Sequence, residues 1–272
     1  LAYLSGFKRL DKDQVIAMSL RYFNLGDINF TDANGWSIGN YKPNEFAIDG
    51  TYSRFLTSKL SMAVSARYIH SNLTQGQDVG GTATKPGNSV AADVALFQRF
   101  PLEFDKMTGD FSWGMNISNI GTKISYSDDN TRKDFIPTNL KIGPTLNLNL
   151  DDYNQLSFMV DFNKLLVPTN AITSGDTIIS GMDPNVSVPV GMIHSFYDAP
   201  GGFQEEINEI SICTGIEYWY AQQFSVRGGF FYENRNKGNR KYFTLGAGFR
   251  YNILGIDFSY LIPVETQNPL EH

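Results

Sequence analysis

The chain has little of what disulfide-bonded domains, metal sites and nucleic-acid-binding proteins need. Its one cysteine, Cys213, permits no internal disulfide. The histidines His70, His194 and His272 have no second His or Cys at ligand spacing, and a zinc site needs about four such ligands. Lys and Arg total 22 against 28 for Asp and Glu, so the net charge is −6 and no basic excess marks a nucleic-acid-binding surface. We therefore predict no metal, no cofactor and no nucleic acid partner.

Long apolar runs and catalytic motifs are also missing from the sequence. No run of 18 apolar residues is present, so we predict no transmembrane helix. Neither a Gly-x-Ser-x-Gly elbow nor a Walker loop occurs, and the Gly-Ala-Gly at 246–248 lies inside an alternating strand. A membrane protein made of strands stays possible, because strand alternation hides an apolar surface from averages of hydropathy.

Strict alternation of apolar and polar residues marks residues 136–169. In the first arm Leu140, Ile142, Leu146, Leu148 and Leu150 share one face, and Asn139, Lys141, Gly143, Thr145, Asn147 and Asn149 share the other. After a turn at 151–153, the second arm places Leu156, Phe158, Val160 and Phe162 on one face. Successive side chains of a strand point to opposite faces, so each arm has an apolar and a polar face. Each arm also exceeds the 9–11 residues or so that a strand needs to span a bilayer.

The same pattern recurs along the chain and predicts about twelve strands in one domain, 1–272. They lie near 1–9, 14–29, 44–55, 59–73, 89–100, 111–126, 136–150, 154–166, 210–221, 223–234, 240–250 and 253–262. Odd-numbered connections are tight, with 101–110 somewhat longer, whereas even-numbered ones are long except 235–239. This parity predicts an all-β, antiparallel up-and-down transmembrane β-barrel whose long connections face the cell exterior.

The longest connection, residues 167–209, is predicted to contain a short helix. Phe203, Ile207 and Ile210 recur at helical spacing opposite Glu205, Glu206 and Glu209. A connection this long is rarely idle, so it is either a lid, plug or docking element, or a cap over one barrel mouth. We predict that it binds partners and that its acidic residues steer basic ones. The candidate contact residues are Asp176, Asp183, Phe196, Tyr197, Phe203, Glu205 and Glu206.

Charged residues also fall on the polar faces of strands, at Arg67, Asp93, Asp161, Arg227, Arg250 and Asp257. They could line a transport path or seat a ligand, but pairing of charges inside a narrow barrel is the favoured interpretation. Acidic patches at 27–32, 128–129 and 176–183 lack the spacing of an EF-hand, so solvated loops are favoured over calcium sites.

Several stretches resemble the PorV (LptO) family of type IX secretion system outer-membrane proteins. They are LRYFNLGD at 20–27, PNEFAID at 43–49, NISNIG at 116–121, FIPTNLK at 135–141, DFNKLLVPT at 161–169, FYDAP at 196–200 and YEN at 232–234. The resemblance implies a FadL-like barrel of about 14 strands, an even number as in bacterial barrels, of which about twelve lie in this chain. An N-terminal part and the last strand are then expected outside it, and 268–272 resembles the approach to that strand rather than a tag.

The resemblance also implies a function that is not enzymatic. Family members lie in the Gram-negative outer membrane and bind the large translocon barrel of the secretion system. They accept cargo through its C-terminal signal domain and pass it to an attachment complex with a sortase-like protease. Three alternatives stay open: a FadL-like channel for hydrophobic small molecules, a soluble carbohydrate-binding sandwich, and an outer-membrane hydrolase that uses His70 or His194 as base.

Overall fold

The structure is a computed structural model that describes residues 1–32, 34–78, 82–127 and 133–264. Its strands are β1 Ala2–Arg9, β2 Gln14–Asn24, β3 Ile28–Thr31, β4 Ser37–Tyr41, β5 Asn44–Phe55, β6 Leu60–Asn72, β7 Gly87–Glu103, β8 Thr108–Gly121, β9 Asn139–Asn149, β10 Asn154–Leu165, β11 Ile172–Ser174, β12 Thr177–Ser180, β13 Ser211–Tyr220, β14 Phe224–Tyr232, β15 Lys241–Tyr251 and β16 Leu254–Pro263. The helices are α1 Val188–His194 and α2 Phe203–Asn208, with a 3-10 turn at Arg235–Lys237.

Within the described residues, twelve strands form one sheet in the order β1-β2-β5-β6-β7-β8-β9-β10-β13-β14-β15-β16. This up-and-down order confirms the predicted all-β fold class, and each predicted long strand has its counterpart. The pair β11-β12 is a separate hairpin inside a predicted loop. The pair β3-β4 is another, and because β2 ends at Asn24 and β3 begins at Ile28, the predicted strand 14–29 was too long. In the described part of the chain, no helix has the length and apolar character to cross a membrane.

The chain divides into two compact units. The first contains Leu1–Phe55, Met62–Ala95 and Ile117–Thr138, and the second contains Leu56–Ser61, Leu96–Asn116 and Asn139–His272. In the first unit, a small apolar core forms where Ala91, Ile124 and Ile136 pack together beside Ile69 and Tyr126. The second unit holds β9 to β16 and the whole of the 167–209 segment.

The predicted strands 111–126 and 136–150 are each too long at their facing ends, since β8 ends at Gly121 and β9 begins at Asn139. Asn119, two residues before the end of β8, adopts a φ of +59°, which interrupts the extended conformation locally. The Asn119 backbone oxygen accepts a hydrogen bond from the hydroxyl of the buried Thr138 at 2.7 Å, and the Asn119 side-chain amide donates to the Pro137 oxygen at 3.0 Å. Residues near Ile124 and Ile136 therefore form the core of the first unit instead of extending the strands. The acidic patch at 128–129 lies outside the described residues.

The two faces of the strands differ in exposure as alternation requires. On β2 the apolar Ile16, Met18 and Leu20 are exposed, whereas Ser19 donates to the buried Asp49 of β5 at 2.8 Å. On β15, Phe243, Leu245 and Phe249 are likewise exposed, and on β10 so are Phe158 and Phe162. In each of these strands the large apolar side chains are therefore exposed on one face of that strand.

Gly143 of β9 is required by the close approach of β10. A Cβ built at this position would lie 2.8 Å from the Val160 oxygen and would overlap the Asp161 carboxylate, which pairs with Lys141. We expect Gly143→Ala to destabilise the chain by about 1–3 kcal/mol, the usual cost of overpacking. Urea unfolding in detergent micelles measures this loss. The control is Gly50→Ala on β5, where nothing lies within 4 Å of the added Cβ, so equal unfolding midpoints for the two variants would contradict the prediction.

Candidate functional site

The 167–209 segment connects β10 to β13 and contains β11, β12, α1 and α2. Helix α1 begins after Ser187, with Pro189 in its first turn, where a missing N–H costs little. Helix α2 begins after Gly202, which has a φ of +70° that L side chains rarely adopt. The predicted short helix at 203–210 is thus confirmed and ends at Asn208.

Two lysines hold α2 in place. The Lys164 ammonium group, at the end of β10, lies 2.9 Å from Glu206 and 2.6 Å from Glu209. The Lys237 ammonium group, from the β14–β15 connection, lies 2.6 Å from Glu205 and 2.9 Å from Glu209. We call these five residues the α2 clamp. The side chains of Lys164 and Glu206 are only 8% and 7% exposed, so solvent screens their attraction weakly. Without its partner, either residue would be a buried and uncompensated charge.

Further hydrogen bonds close the segment around the clamp. The Glu206 carboxylate also accepts the Ala199 N–H at 2.8 Å, and Glu205 accepts the Gly201 N–H at 2.6 Å. Glu209 accepts from the Thr169 hydroxyl at 2.7 Å. The glutamates therefore hold the backbone just before α2 and the Thr169 side chain, as well as pairing with the lysines.

Lys164 lies on the apolar face of the sheet. It pairs in register with Leu140 of β9, and two residues earlier Phe162 pairs with Ile142. A groove of about 260 Å³ separates these side chains from α2. Its lining comes from Leu140, Ile142, Phe162, Phe196, Phe203 and Ile207, with Lys164 and Glu206 beside them. Helix α2 thus lies against the apolar face of β9 and β10.

The predicted contact residues of the 167–209 segment fall into two groups. Asp176, Asp183, Phe196, Tyr197 and Phe203 are exposed. Glu205 and Glu206 are instead bound by lysines of the same chain. The sequence had led us to expect that these two charges would steer basic partners, but the lysines already neutralise them. The fold places Lys164 next to Glu206 and Lys237 next to Glu205, and this pairing is the physical reason why the expected steering role is corrected. Partner contact at the seven residues stays a prediction.

Sequence reasoning missed Lys164, Lys237 and Asp198. The sequence contained a signal for Lys164. This charged residue occupies the next position on the strand face that carries Phe158, Val160 and Phe162, where alternation predicts an apolar side chain. Asp198 is buried and accepts the Thr169 N–H at 3.1 Å, while its Oδ1 lacks a hydrogen-bond partner. Burial raises the pKa of Asp198 although the Thr169 N–H lowers it, and the charges of Glu206 and Glu209 raise it further.

Acid should loosen the α2 clamp. The Lys237 and Gly201 hydrogen bonds lower the pKa of Glu205; burial would raise the pKa of Glu209, but bonds from Lys164, Lys237 and Thr169 lower it overall. A carboxyl group whose pKa is lowered in the folded protein stabilises the fold at pH values above its ordinary pKa. That contribution is lost as the pH falls below the ordinary pKa. We therefore expect hydrogen-exchange protection of α2 to fall below pH 4.5, the ordinary value for Glu.

Two further groups, Asp198 near the clamp and Lys237 within it, limit the pH range of this prediction. Asp198, with its raised pKa, opposes the two glutamates in acid, because its neutral form is favoured in the fold. Burial lowers the pKa of Lys237, but its hydrogen bonds to Glu205 and Glu209 raise the pKa overall. The contribution of Lys237 to the stability of the fold is therefore lost only above pH 10.5. The control is Glu209→Gln, which should flatten the acid transition. Constant protection of α2 down to about pH 3, below the ordinary Glu pKa, would contradict the prediction.

Charged residues on the polar faces are paired, as the favoured interpretation requires, whereas their position inside a narrow barrel stays a prediction. In the first unit, Arg67 bonds Asp49, Asp93 and Asn119, with 2.9 Å to Asp93. In the second unit, Asp161 pairs with Lys141 at 3.3 Å, and Asp257 pairs with both Arg227 and Arg250 at 2.7 Å. Each of the six predicted strand charges thus has a partner of opposite sign.

The two histidines proposed as bases for a hydrolase each lie beside an aromatic ring. His70 Nδ1 lies 2.8 Å from the Asn88 side chain, and its ring stacks on Phe46. His194 contacts Tyr197, and its buried Nδ1 has no hydrogen-bond partner. His272 lies outside the described residues. Over the described part of the chain, no three His, Cys, Asp or Glu residues come together as a metal site.

Comparison with known proteins identifies the family. The family model described as "Type IX secretion system protein PorV" matches residues 1–172. No curated protein matches the chain. The family match extends from β1 through β10 and includes the first residues of the 167–209 segment. Because it covers more than half of the chain, the chain belongs to the PorV family, whose members are outer-membrane components of the type IX secretion system.

Proposed function

We propose that the chain is a non-enzymatic outer-membrane barrel that receives exported proteins and hands them on. It binds the large translocon barrel of the secretion system and accepts cargo through the C-terminal signal domain. It then delivers the cargo to the cell-surface attachment complex that contains the sortase-like protease. The family match over residues 1–172 is the observation that carries this proposal.

The outward apolar side chains support a wall that spans the bilayer. Ile16, Met18 and Leu20 on β2 and Phe243 and Leu245 on β15 are exposed on single faces. Water disfavours large contiguous apolar surfaces, whereas the hydrocarbon of a bilayer favours them. Spanning also requires all backbone polar groups to be paired, so we propose that the sheet closes into a barrel.

The 167–209 segment is the proposed docking surface for the translocon. Its exposed aromatic residues Phe196, Tyr197 and Phe203 are of the type that anchors protein interfaces. Asp176 and Asp183 of the same segment are also exposed, and we propose that they supply polar contacts at its rim. Glu205 and Glu206 contribute by holding α2, because their carboxylates are already bound to lysines. A segment ordered before binding loses less entropy when it docks.

A pull-down from mild-detergent membranes of cells with the secretion system tests the proposal. The tagged chain should recover the translocon barrel and exported proteins that share a C-terminal domain. The double variant Tyr197→Ser and Phe203→Ser should recover about tenfold or more less translocon, since aromatic hot spots contribute at least ~2 kcal/mol. Trp36→Ser on the β3–β4 connection is the control, because Trp36 is 74% exposed and lies in the other unit. Recovery of the chain alone would contradict the export role.

A channel for hydrophobic small molecules is the second candidate function. The observation in its favour is a cavity of about 500 Å³ in the first unit. Phe23, Phe46 and Ile69 supply apolar lining, and the half-exposed Arg21 lies beside them. Co-purification of a fatty acid with the chain, without translocon, would favour this function over export.

A further inference from the structure

The groove between α2 and the sheet opens on the face that carries the outward apolar side chains. Leu140 and Ile142 come from β9, and Phe162 comes from β10. On β10, Phe158 continues the same exposed apolar surface. Phe203 on the opposite wall is 80% exposed, and Phe196 is 49% exposed. The groove is therefore a recess in the apolar surface of the sheet, roofed by the 167–209 segment.

The charges at the edge of the groove exclude an anionic ligand. Lys164 is the nearest cation, and both of its ion pairs are with glutamates of the clamp. The α2 clamp as a whole has two lysines and three glutamates, so its net charge is −1. A carboxylate or phosphate placed here would meet a bound cation and surplus negative charge. The ligand that fits is a neutral hydrocarbon whose polar end lies elsewhere.

We propose that this groove binds an acyl chain of a bilayer lipid, with the lipid headgroup outside it. The site rests on the proposed function, because the sheet face must meet the bilayer for a membrane lipid to enter. Continuity with the apolar face of β10 supplies the route, and the lining residues supply contacts along the chain. A free fatty acid is a poorer ligand because its carboxylate would lie close to the acidic clamp. The bound chain would bridge the sheet and α2 and so stabilise the 167–209 segment.

Photolabelling in vesicles tests the site. The full chain is reconstituted in phosphatidylcholine vesicles that contain a small amount of lipid with a diazirine in its acyl chain. Mass spectrometry then locates the label residue by residue. We expect more label at Phe162 and Phe203 than at Leu245, which is an exposed wall residue on β15. Ile207→Trp, which fills the groove, should lower that label about tenfold, the effect of losing contact with two methylene groups.

A matched variant and a second probe separate the outcomes. Ile193→Trp on α1 lies outside the groove lining and should leave the label unchanged. Equal labelling of Phe203 and Leu245 would overturn the site while leaving the outer-membrane role intact. Labelling by a diazirine fatty acid in place of the phospholipid would overturn the choice of ligand. If neither groove nor wall residues were labelled, the sheet would not face a bilayer, and the proposed function would fail as well.

Discussion

The variant Arg67→Met should lose about 3–5 kcal/mol of the free energy of unfolding, the cost of breaking a buried ion pair from one side. The Arg67 side chain is 8% exposed, and the side chains of Asp49 and Asp93 are 5% and 14% exposed. Removing the guanidinium group takes the Arg67 cation from both carboxylates of the first unit, leaving Asp49 with only the half-exposed Arg21, at 4.0 Å. It also removes the donor to Asn119, whose N–H in turn binds Asp93 at 2.8 Å. Urea unfolding in detergent micelles measures the loss.

A matched arginine separates burial from charge in this experiment. Arg250 pairs with Asp257 at 2.7 Å, but the two side chains are 41% and 42% exposed, so Arg250→Met should cost no more than about 1 kcal/mol. Restoring charge balance tests the mechanism directly. The triple variant Arg67→Met, Asp49→Asn and Asp93→Asn should recover part of the stability, because no uncompensated charge is left. A similar loss for Arg67→Met and Arg250→Met would contradict the prediction.

The variant Lys164→Met should release α2 from the sheet. Glu206 would keep its burial and lose its cation, which costs about 3–5 kcal/mol for a buried pair broken from one side. Since α2 and its flanks lie outside the sheet, the loss should appear as local opening rather than unfolding of the strands. Limited proteolysis should therefore cut residues 167–209 much faster than in the parent chain, while the strands stay protected.

Two other lysines calibrate the effect on α2. Lys237 is the second lysine of the clamp, and its side chain is 20% exposed against 8% for Lys164. We therefore expect Lys237→Met to open α2 less than Lys164→Met. Lys42 pairs with Asp27 while 71% exposed, so Lys42→Met should leave the segment as resistant as before. The double variant Lys164→Met and Glu206→Leu should close the segment again in part. If cleavage of residues 167–209 were unchanged in Lys164→Met, the clamp would not hold α2.

Alternation made most of the sheet predictable, because it is a local property of each strand. Leu140 to Leu150 identified β9, and Leu156 to Phe162 identified β10, within a few residues of the observed bounds. The fold-back of residues near Ile124 and Ile136 was not predictable, since it depends on the positive φ of Asn119 and on contacts with Ala91. The periodicity of Ile124 and Ile136 fits a strand as well as a folded core.

The site was less predictable than the sheet because its contacts join distant parts of the chain. The spacing of Phe203 and Ile207 predicted α2, but the partner of Glu206 lies 42 residues earlier, at Lys164. Nothing in the acidic pattern of Glu205, Glu206 and Glu209 distinguishes a free surface from one neutralised by lysines. A charged residue at an apolar strand position, as at Lys164, is the kind of local signal that points to such a distant partner.

Sorting short turns to one end of the sheet and long connections to the other also limits how related chains diverge in length. Inserting one residue within β9 or β10 would send every following apolar side chain to the polar face, so such changes are strongly disfavoured. The tight turn at 150–153, where Leu150 bonds back to Asn154, has no slack to absorb them. Residues 25–43 and 166–210, with their own hairpins and helices, can grow or shrink without moving a strand. Length differences within the family should therefore accumulate at one end of the sheet.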